Sequence, residues 1–203
     1  MAIVYGFLVG LSMVVFVGPV FFTLLKSTLD YGIKAGMAVA FGIIISDIIC
    51  IVLCWVGASY FEINHTANYK YLSGVGCVVL FGIGFSYLFT KKMDCLVSVG
   101  ISSLDFAKFF VKGFFVNFLN PFVFFVWLGI LGWIKSTYDS EIEQYLYLSA
   151  ALAGIFTTDT LKVIFAGRIK KYTQPHILIW VYRSFGLILI GFGIRLLWYI
   201  FSN

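Results

Sequence analysis

Long apolar segments dominate this sequence and restrict what the chain can fold into. Six of them are long enough to cross about 30 Å of hydrocarbon as an α-helix. With 62% hydrophobic and 11% charged residues, a chain of 203 residues has too little polar surface for a soluble globule. We therefore predict an all-α polytopic membrane protein, a single transmembrane domain over residues 1–203. The predicted transmembrane helices cover about residues 2–25, 35–60, 69–90, 109–134, 144–166 and 177–201.

The positions of lysine and arginine predict how the chain is oriented. Loops one, three and five, with the adjoining helix ends, hold ten of these residues, whereas loops two and four hold only Lys70 and Lys135. Because cytoplasmic loops carry the excess of positive charge, we expect the odd-numbered loops in the cytoplasm and both termini outside. This distribution accounts for the net charge of +5, and no nucleic-acid partner is expected.

The second half of the chain repeats a pattern of the first half. GIIISD, which ends at Asp47, corresponds to GIFTTD, which ends at Asp159, and the preceding spans contain Pro19 and Pro121. Each half holds three spans, and an odd number of spans makes the two halves cross the membrane in opposite senses. The sequence therefore predicts a 3+3 inverted repeat, with repeats at about 2–90 and 109–201. This arrangement is typical of transporters, although duplication within a bundle that does not transport is the alternative.

Small residues form a stripe along the helix that carries each acid. In both copies they recur every four residues, which lets helix backbones approach closely in lipid. We predict that Gly42 and Gly154 serve helix packing. Ser46 and Thr158 continue the two stripes next to the acids and are predicted to contribute to substrate binding or coupling.

The two prolines are expected to break their helices. Neither can donate a hydrogen bond to the residue four positions earlier, so the carbonyl groups of Val15 and Asn117 are predicted to be free. A half-helix starts at each proline, and its unpaired N–H groups suit an anion such as the carboxylate of an amino acid. Asn120 could add an amide hydrogen bond, and Gly18 allows close approach. A kink that only improves packing is the alternative.

The two acids at bilayer depth differ in their sequence neighbours. Such acids are costly in lipid and usually functional. Asp47 has no charged residue within one turn, and burial without a fixed cation favours its protonated form, so we expect it to bind an ammonium group or a proton. Lys162 follows Asp159 by three residues, and the two are expected to pair, for function or for structure. A polar clamp between helices is the alternative for either acid.

Several motifs resemble those of the lysine exporter (LysE) family of amino-acid efflux proteins, which includes homoserine and threonine exporters. They are the G-P at 18–19, GIKAGMAVAFGIIISD at 32–47, KGFFVNFLNP at 112–121 and RSFGLILIGFG at 183–193, and the resemblance covers essentially the whole chain. The matching positions are Gly18, Pro19, Gly36, Gly42, Asp47, Asn117, Asn120 and Pro121.

The resemblance implies a six-helix exporter of amino acids or related small metabolites in a bacterial inner membrane, driven by proton antiport. Its expected partners are the lipid bilayer, a small-molecule substrate and the proton; no cofactor is expected, and a homodimer is left open. It also implies a packing role for Gly36. One position departs from the family pattern, because Phe122 stands where members often have lysine. A contact made by that lysine would be missing here.

Other functions are weighed against transport of amino acids. A thiol–disulfide carrier needs cysteines beside the prolines, where this chain has none. Metal efflux would use clustered ligands, whereas His65 and His176 are far apart in sequence, so no metal site is expected. No nucleophile and base recur at a recognised spacing, so we expect no enzyme. A membrane assembly protein is the remaining alternative. Most aromatic residues are expected in lipid-facing belts.

Overall fold

The computed structural model describes residues 1–15, 18–63 and 106–169, together with parts of 77–89 and 183–198. Its described elements are helical, which confirms the all-α prediction for these residues. The helices are α1 (Ala2–Ser12), a short 3-10 segment (Met13–Val15), α2 (Pro19–Tyr31), α3 (Ile33–Ile63), α4 (Phe106–Phe118), α5 (Pro121–Thr137), α6 (Glu141–Ile164) and α7 (Ala166–Ile169).

Three helical stretches among the described residues have the length and apolarity to cross a membrane. One is Ile33–Gly57 within α3. The other two qualify only as bent pairs: α1 and its 3-10 segment with α2, bent by 75°, and α4 with α5, bent by 65°. These stretches correspond to the first, second and fourth predicted spans. Helix α6 covers most of the fifth, and the third and sixth lie only partly within the described residues, so the number of six spans stays a prediction.

The chain forms two compact units. The first contains Met1–Val56 and Val99–Thr173, and the second contains Gly57–Ser98 and Gln174–Asn203. In the second unit the thiol of Cys77 donates a hydrogen bond to the carbonyl oxygen of Gly193, with a distance of 3.6 Å. A Cβ on Gly186 would lie only 2.7 Å from the carbonyl oxygen of Gly84. Segments from the third and sixth predicted spans therefore pack on each other within this unit.

In the first unit, α3 packs against α4 at glycine contacts. A Cβ on Gly42 would overlap the carbonyl oxygen of Phe110 and crowd the backbone nitrogen of Phe114. In the other direction, a Cβ on Gly113 would overlap the carbonyl oxygen of Val39. The two backbones thus touch without intervening side chains, as small-residue stripes allow in lipid.

Helix α6 packs against α1 through an equivalent set of contacts. A Cβ on Gly154 would meet the carbonyl oxygen of Phe7 and the backbone nitrogen of Leu11, and one on Gly10 would overlap the carbonyl oxygen of Ala151. Gly42 and Gly154, which were predicted to serve packing, lie at the two interfaces. The interfaces match residue by residue: Val39 and Gly42 precede Ala151 and Gly154 by 112 positions, and Phe7, Gly10 and Leu11 precede Phe110, Gly113 and Phe114 by 103.

Buried side chains from several helices hold the first unit together. One cluster contains Leu24, Ile43 and Val163, from α2, α3 and α6, and another contains Trp127 and Tyr147, from α5 and α6, with side chains of α3. Gly36 lies where α2, α3 and α6 meet, since a Cβ there would overlap the hydroxyl of Thr28 and touch Val163. Helices α3 and α6, which carry the two acids, contribute to both clusters and so form the scaffold of the site.

Candidate functional site

Pro19 and Pro121 are each the first residue of a helix, so the backbone breaks where the sequence predicted. Gly18 precedes α2 in an extended conformation, and that helix has no side-chain cap. No described atom lies within 4 Å of where a Cβ on Gly18 would stand. Asn120 precedes α5, and its side-chain oxygen accepts a hydrogen bond from the N–H of Phe122 at 3.2 Å. The two helix starts therefore differ, because one is capped by its own chain and the other is not.

The carbonyl group of Asn117 is not free, which corrects the prediction for the second break. It accepts a hydrogen bond from the backbone N–H of Asn120 at 3.0 Å. The chain tightens into a turn just before the proline, so that a nearer N–H replaces the one that proline lacks. Residues 16 and 17, which follow Val15, lie outside the described residues, so a free carbonyl at Val15 stays a prediction.

Asp47 connects α3 by hydrogen bonds to both helices of the bent α4–α5 pair. It is 4% exposed, and its Oδ1 accepts a hydrogen bond from Nδ2 of Asn117 at 2.9 Å and from Nε1 of Trp127 at 3.0 Å. Asn117 lies on α4, before the break, and Trp127 lies on α5, after it. The amide of Asn117 also donates to the hydroxyl of Ser46 at 3.2 Å and to the carbonyl oxygen of Ile43 at 3.3 Å. The structure thus brings Ser46, Asp47 and Asn117 together.

Trp127 is a residue of this site that the sequence analysis missed. Its side chain is 1% exposed, so it is not one of the aromatic residues that face lipid. A buried indole N–H needs an acceptor, and in lipid the need is greater because water is absent. The sequence contains a tryptophan within one apolar span and an acid without a charged neighbour in another, but nothing in it shows that the two side chains meet.

Asp159 and Lys162 form the ion pair that their spacing predicted. Nζ of Lys162 lies 2.9 Å from Oδ1 of Asp159, and both side chains are buried. The same Nζ lies 5.9 Å from the ring centroid of Phe21 on α2, within the range of a cation–π contact. Oδ2 of Asp159 is buried and has no hydrogen-bond partner among the described residues. Phe21 is a second residue of the site that the sequence did not indicate.

Thr158 differs from Ser46, its counterpart in the repeat. Its hydroxyl donates to the carbonyl oxygen of Ile155 on its own helix at 2.8 Å. Among the described residues, the hydrogen bond that Ser46 accepts from Asn117 on α4 therefore has no counterpart at Thr158. The two acids occupy equivalent sequence positions but have different surroundings.

The buried charges of the described residues do not balance. They are the carboxylates of Asp47 and Asp159 and the ammonium group of Lys162. With both acids ionised, the interior carries one negative charge that no described cation offsets, and it can take up one positive charge, either a proton or an ammonium group. No cluster of metal-binding side chains is found among the described residues, and His65 and His176 lie outside them.

A comparison with protein families matches residues 11–199 to the family described as LysE type translocator. The matched range contains both helix breaks, both acids and Lys162. The resemblance inferred from the motifs is confirmed. No curated protein and no solved structure matches the chain.

Proposed function

This chain belongs to the LysE type translocator family, and on that basis we propose that it is an efflux transporter of amino acids or related small metabolites. It is a multi-pass membrane protein and a transporter rather than an enzyme. The proposal places it in a bacterial inner membrane with both termini outside and couples export to proton entry. The observation that carries the coupling is the buried carboxylate of Asp47, bound to helices on both sides of a break.

An inverted 3+3 repeat is part of the proposal. It is supported by the match between the α3–α4 interface and the α6–α1 interface, in which glycines at equivalent positions meet equivalent backbone atoms. Helix α1, from the broken span of the first repeat, packs on α6, which carries Asp159 in the second repeat. Helix α4, from the broken span of the second repeat, packs on α3, which carries Asp47 in the first repeat. Such an exchange gives the two breaks equivalent positions relative to the midplane, where transporters of this architecture bind substrate.

Asp47 is proposed to couple proton movement to a change in the bend between α4 and α5. Both of its donors, Asn117 and Trp127, are neutral, so the carboxylate charge makes both hydrogen bonds charge-assisted. Such bonds are roughly twice as strong as those between neutral groups. Protonation of Asp47 therefore weakens its hydrogen bonds to α4 and α5 at the same time. The proton thereby favours a different arrangement of the two arms, which is what alternating access requires.

The test is transport by the purified protein in lipid vesicles. Vesicles are loaded with a panel of labelled amino acids, and efflux is followed with and without an imposed pH gradient. The proposal expects efflux of at least one amino acid that accelerates when protons can move in the opposite direction. A protein that inserts correctly but moves none of the panel, with or without a gradient, would refute it.

A further inference from the structure

Three side-chain oxygen atoms in the described part of the chain are buried without a hydrogen-bond partner, and one of them belongs to a carboxylate. Asp159 is 4% exposed, its Oδ1 is paired with Lys162, and its Oδ2 has no hydrogen-bond partner among the described residues. A buried carboxylate oxygen loses its hydration, and only a donor can offset that loss. Ser27 on α2 and Thr160 on α6 also have buried hydroxyl oxygens without described partners. All three atoms lie on α2 and α6, the helices joined by the contact between Phe21 and Lys162.

We propose that Asp159, Lys162 and the start of α2 bind the charged head of a zwitterionic substrate. Oδ2 of Asp159 accepts a hydrogen bond from the ammonium group of the substrate, while Lys162 and the first N–H groups of α2 bind its carboxylate. This inference rests on the proposed export function and deepens it, because it assigns the substrate class: α-amino acids without a net charge. It also makes Lys162 a residue that determines specificity.

The start of α2 is suited to a carboxylate. Its first N–H groups have no acceptor within the helix, no side chain caps them, and the space beside Gly18 contains no described atom. Lys162 lies over Phe21, the third residue of α2, so its ammonium group adds a positive charge at this helix start. An ammonium group has three donors, of which one is used by Asp159. The start of α5 differs, because Asn120 caps it.

Charge balance selects the substrate class. Asp159 and Lys162 together are neutral, and a zwitterion adds no net charge to the buried site. An amino acid with a cationic side chain would bring one further positive charge close to Lys162. Asp159 is already paired with Lys162, and the charge of Asp47 is assigned to the coupling proton, so no acid is left to offset it. Burial of such a charge is costly, so Lys162 rejects basic amino acids by repulsion.

The first experiment compares the wild-type protein with Lys162→Gln in vesicles, using leucine and threonine as neutral substrates and lysine as the cationic one. Removal of Lys162 leaves Asp159 without a cation, so the preference for neutral substrates over lysine should fall by about tenfold or more. Lys108→Gln, at an exposed lysine of α4, is the control and should keep the wild-type preference. An unchanged preference in Lys162→Gln, at matched protein levels, would overturn the assignment.

A second variant distinguishes loss of the binding site from loss of the folded protein. Asp159→Asn combined with Lys162→Gln leaves no uncompensated charge, so it should insert normally. It should nevertheless lose the stabilisation against heat that leucine gives the wild-type protein. Retention of that stabilisation would overturn the site and leave the export function intact. If the wild-type protein transports lysine but neither leucine nor threonine, this site is overturned and the export function stands. If it moves none of the full amino-acid panel, the export function itself is refuted, and this site with it.

Discussion

The hydrogen bond between Trp127 and Asp47 can be measured apart from the packing of the indole ring. Trp127→Phe keeps an aromatic ring in the core and removes the N–H that lies 3.0 Å from Oδ1 of Asp47. A hydrogen bond to a charged group contributes about 1.5–3 kcal/mol. The smaller ring also leaves space beside Leu131, so the total loss of stability includes a packing cost as well.

A double-mutant cycle with Asp47→Ala separates the two contributions. In the Asp47→Ala background, Trp127→Phe removes no hydrogen bond and should cost only the packing contribution. The coupling energy, from the free energies of unfolding in detergent micelles, should therefore be about 1.5–3 kcal/mol. Trp133→Phe is the matched control, because this tryptophan lies on the same helix and is 46% exposed. It should be additive with Asp47→Ala.

The reasoning would be refuted by additivity at Trp127. A coupling energy below about 0.5 kcal/mol is what independent sites give. Such a result would mean that the carboxylate and the indole do not share a hydrogen bond in the membrane protein. Asp47 would then no longer be tied to α5, and the proposed effect of its protonation on the bend would lose its basis.

Four further predictions concern the backbone and the topology. Gly42→Ala should destabilise the protein, because its Cβ overlaps α4, whereas Gly129→Ala meets no described atom within 4 Å and should gain up to about 1 kcal/mol from helix propensity; thermal unfolding compares them. Asn120→Ala removes the cap of α5 and should cost about 1 kcal/mol in the same assay, and an unchanged stability would contradict the cap. Pro121→Ala restores an N–H donor that can replace the N–H of Asn120 at the carbonyl oxygen of Asn117, so it should reduce the 65° bend and suppress transport without preventing insertion, and full transport would reduce the proline to a packing feature. Cysteines introduced at 92–107 should be labelled only from the cytoplasm, and labelling from outside would reverse the predicted orientation.

The parts of this fold that depend on local chemistry could be predicted from the sequence. Proline cannot continue a helix hydrogen-bond pattern, so the starts of α2 and α5 follow from Pro19 and Pro121 alone. The cap by Asn120 also had a local signal, since asparagine before proline is a favourable helix start. The packing role of Gly42 and Gly154 followed from their spacing, whereas the helices that pack on them, α4 and α1, were not predicted.

The partners of the two acids could not be predicted, because they depend on contacts between distant segments. In the sequence, Asp47 has no charged residue within one helical turn, whereas Asp159 has Lys162 three positions later. In the structure Asp47 accepts hydrogen bonds from Asn117 and Trp127, which lie 70 and 80 positions away, while Asp159 keeps an unpaired oxygen beside Lys162. Local spacing describes pairs on one helix surface and carries no information about which side chains a neighbouring helix supplies.

The central claim, that Asp47 couples export to the proton, is tested by Asp47→Asn in lipid vesicles. Asparagine keeps the size of the side chain and an oxygen that can accept from Asn117 and Trp127, but it does not ionise. At matched levels of inserted protein, the variant should still exchange labelled for unlabelled substrate across the membrane. It should show no acceleration of efflux when a pH gradient is imposed, whereas the wild-type protein should. Gradient-driven efflux at the wild-type rate in Asp47→Asn would contradict the claim and leave Asp47 as a polar tie between helices.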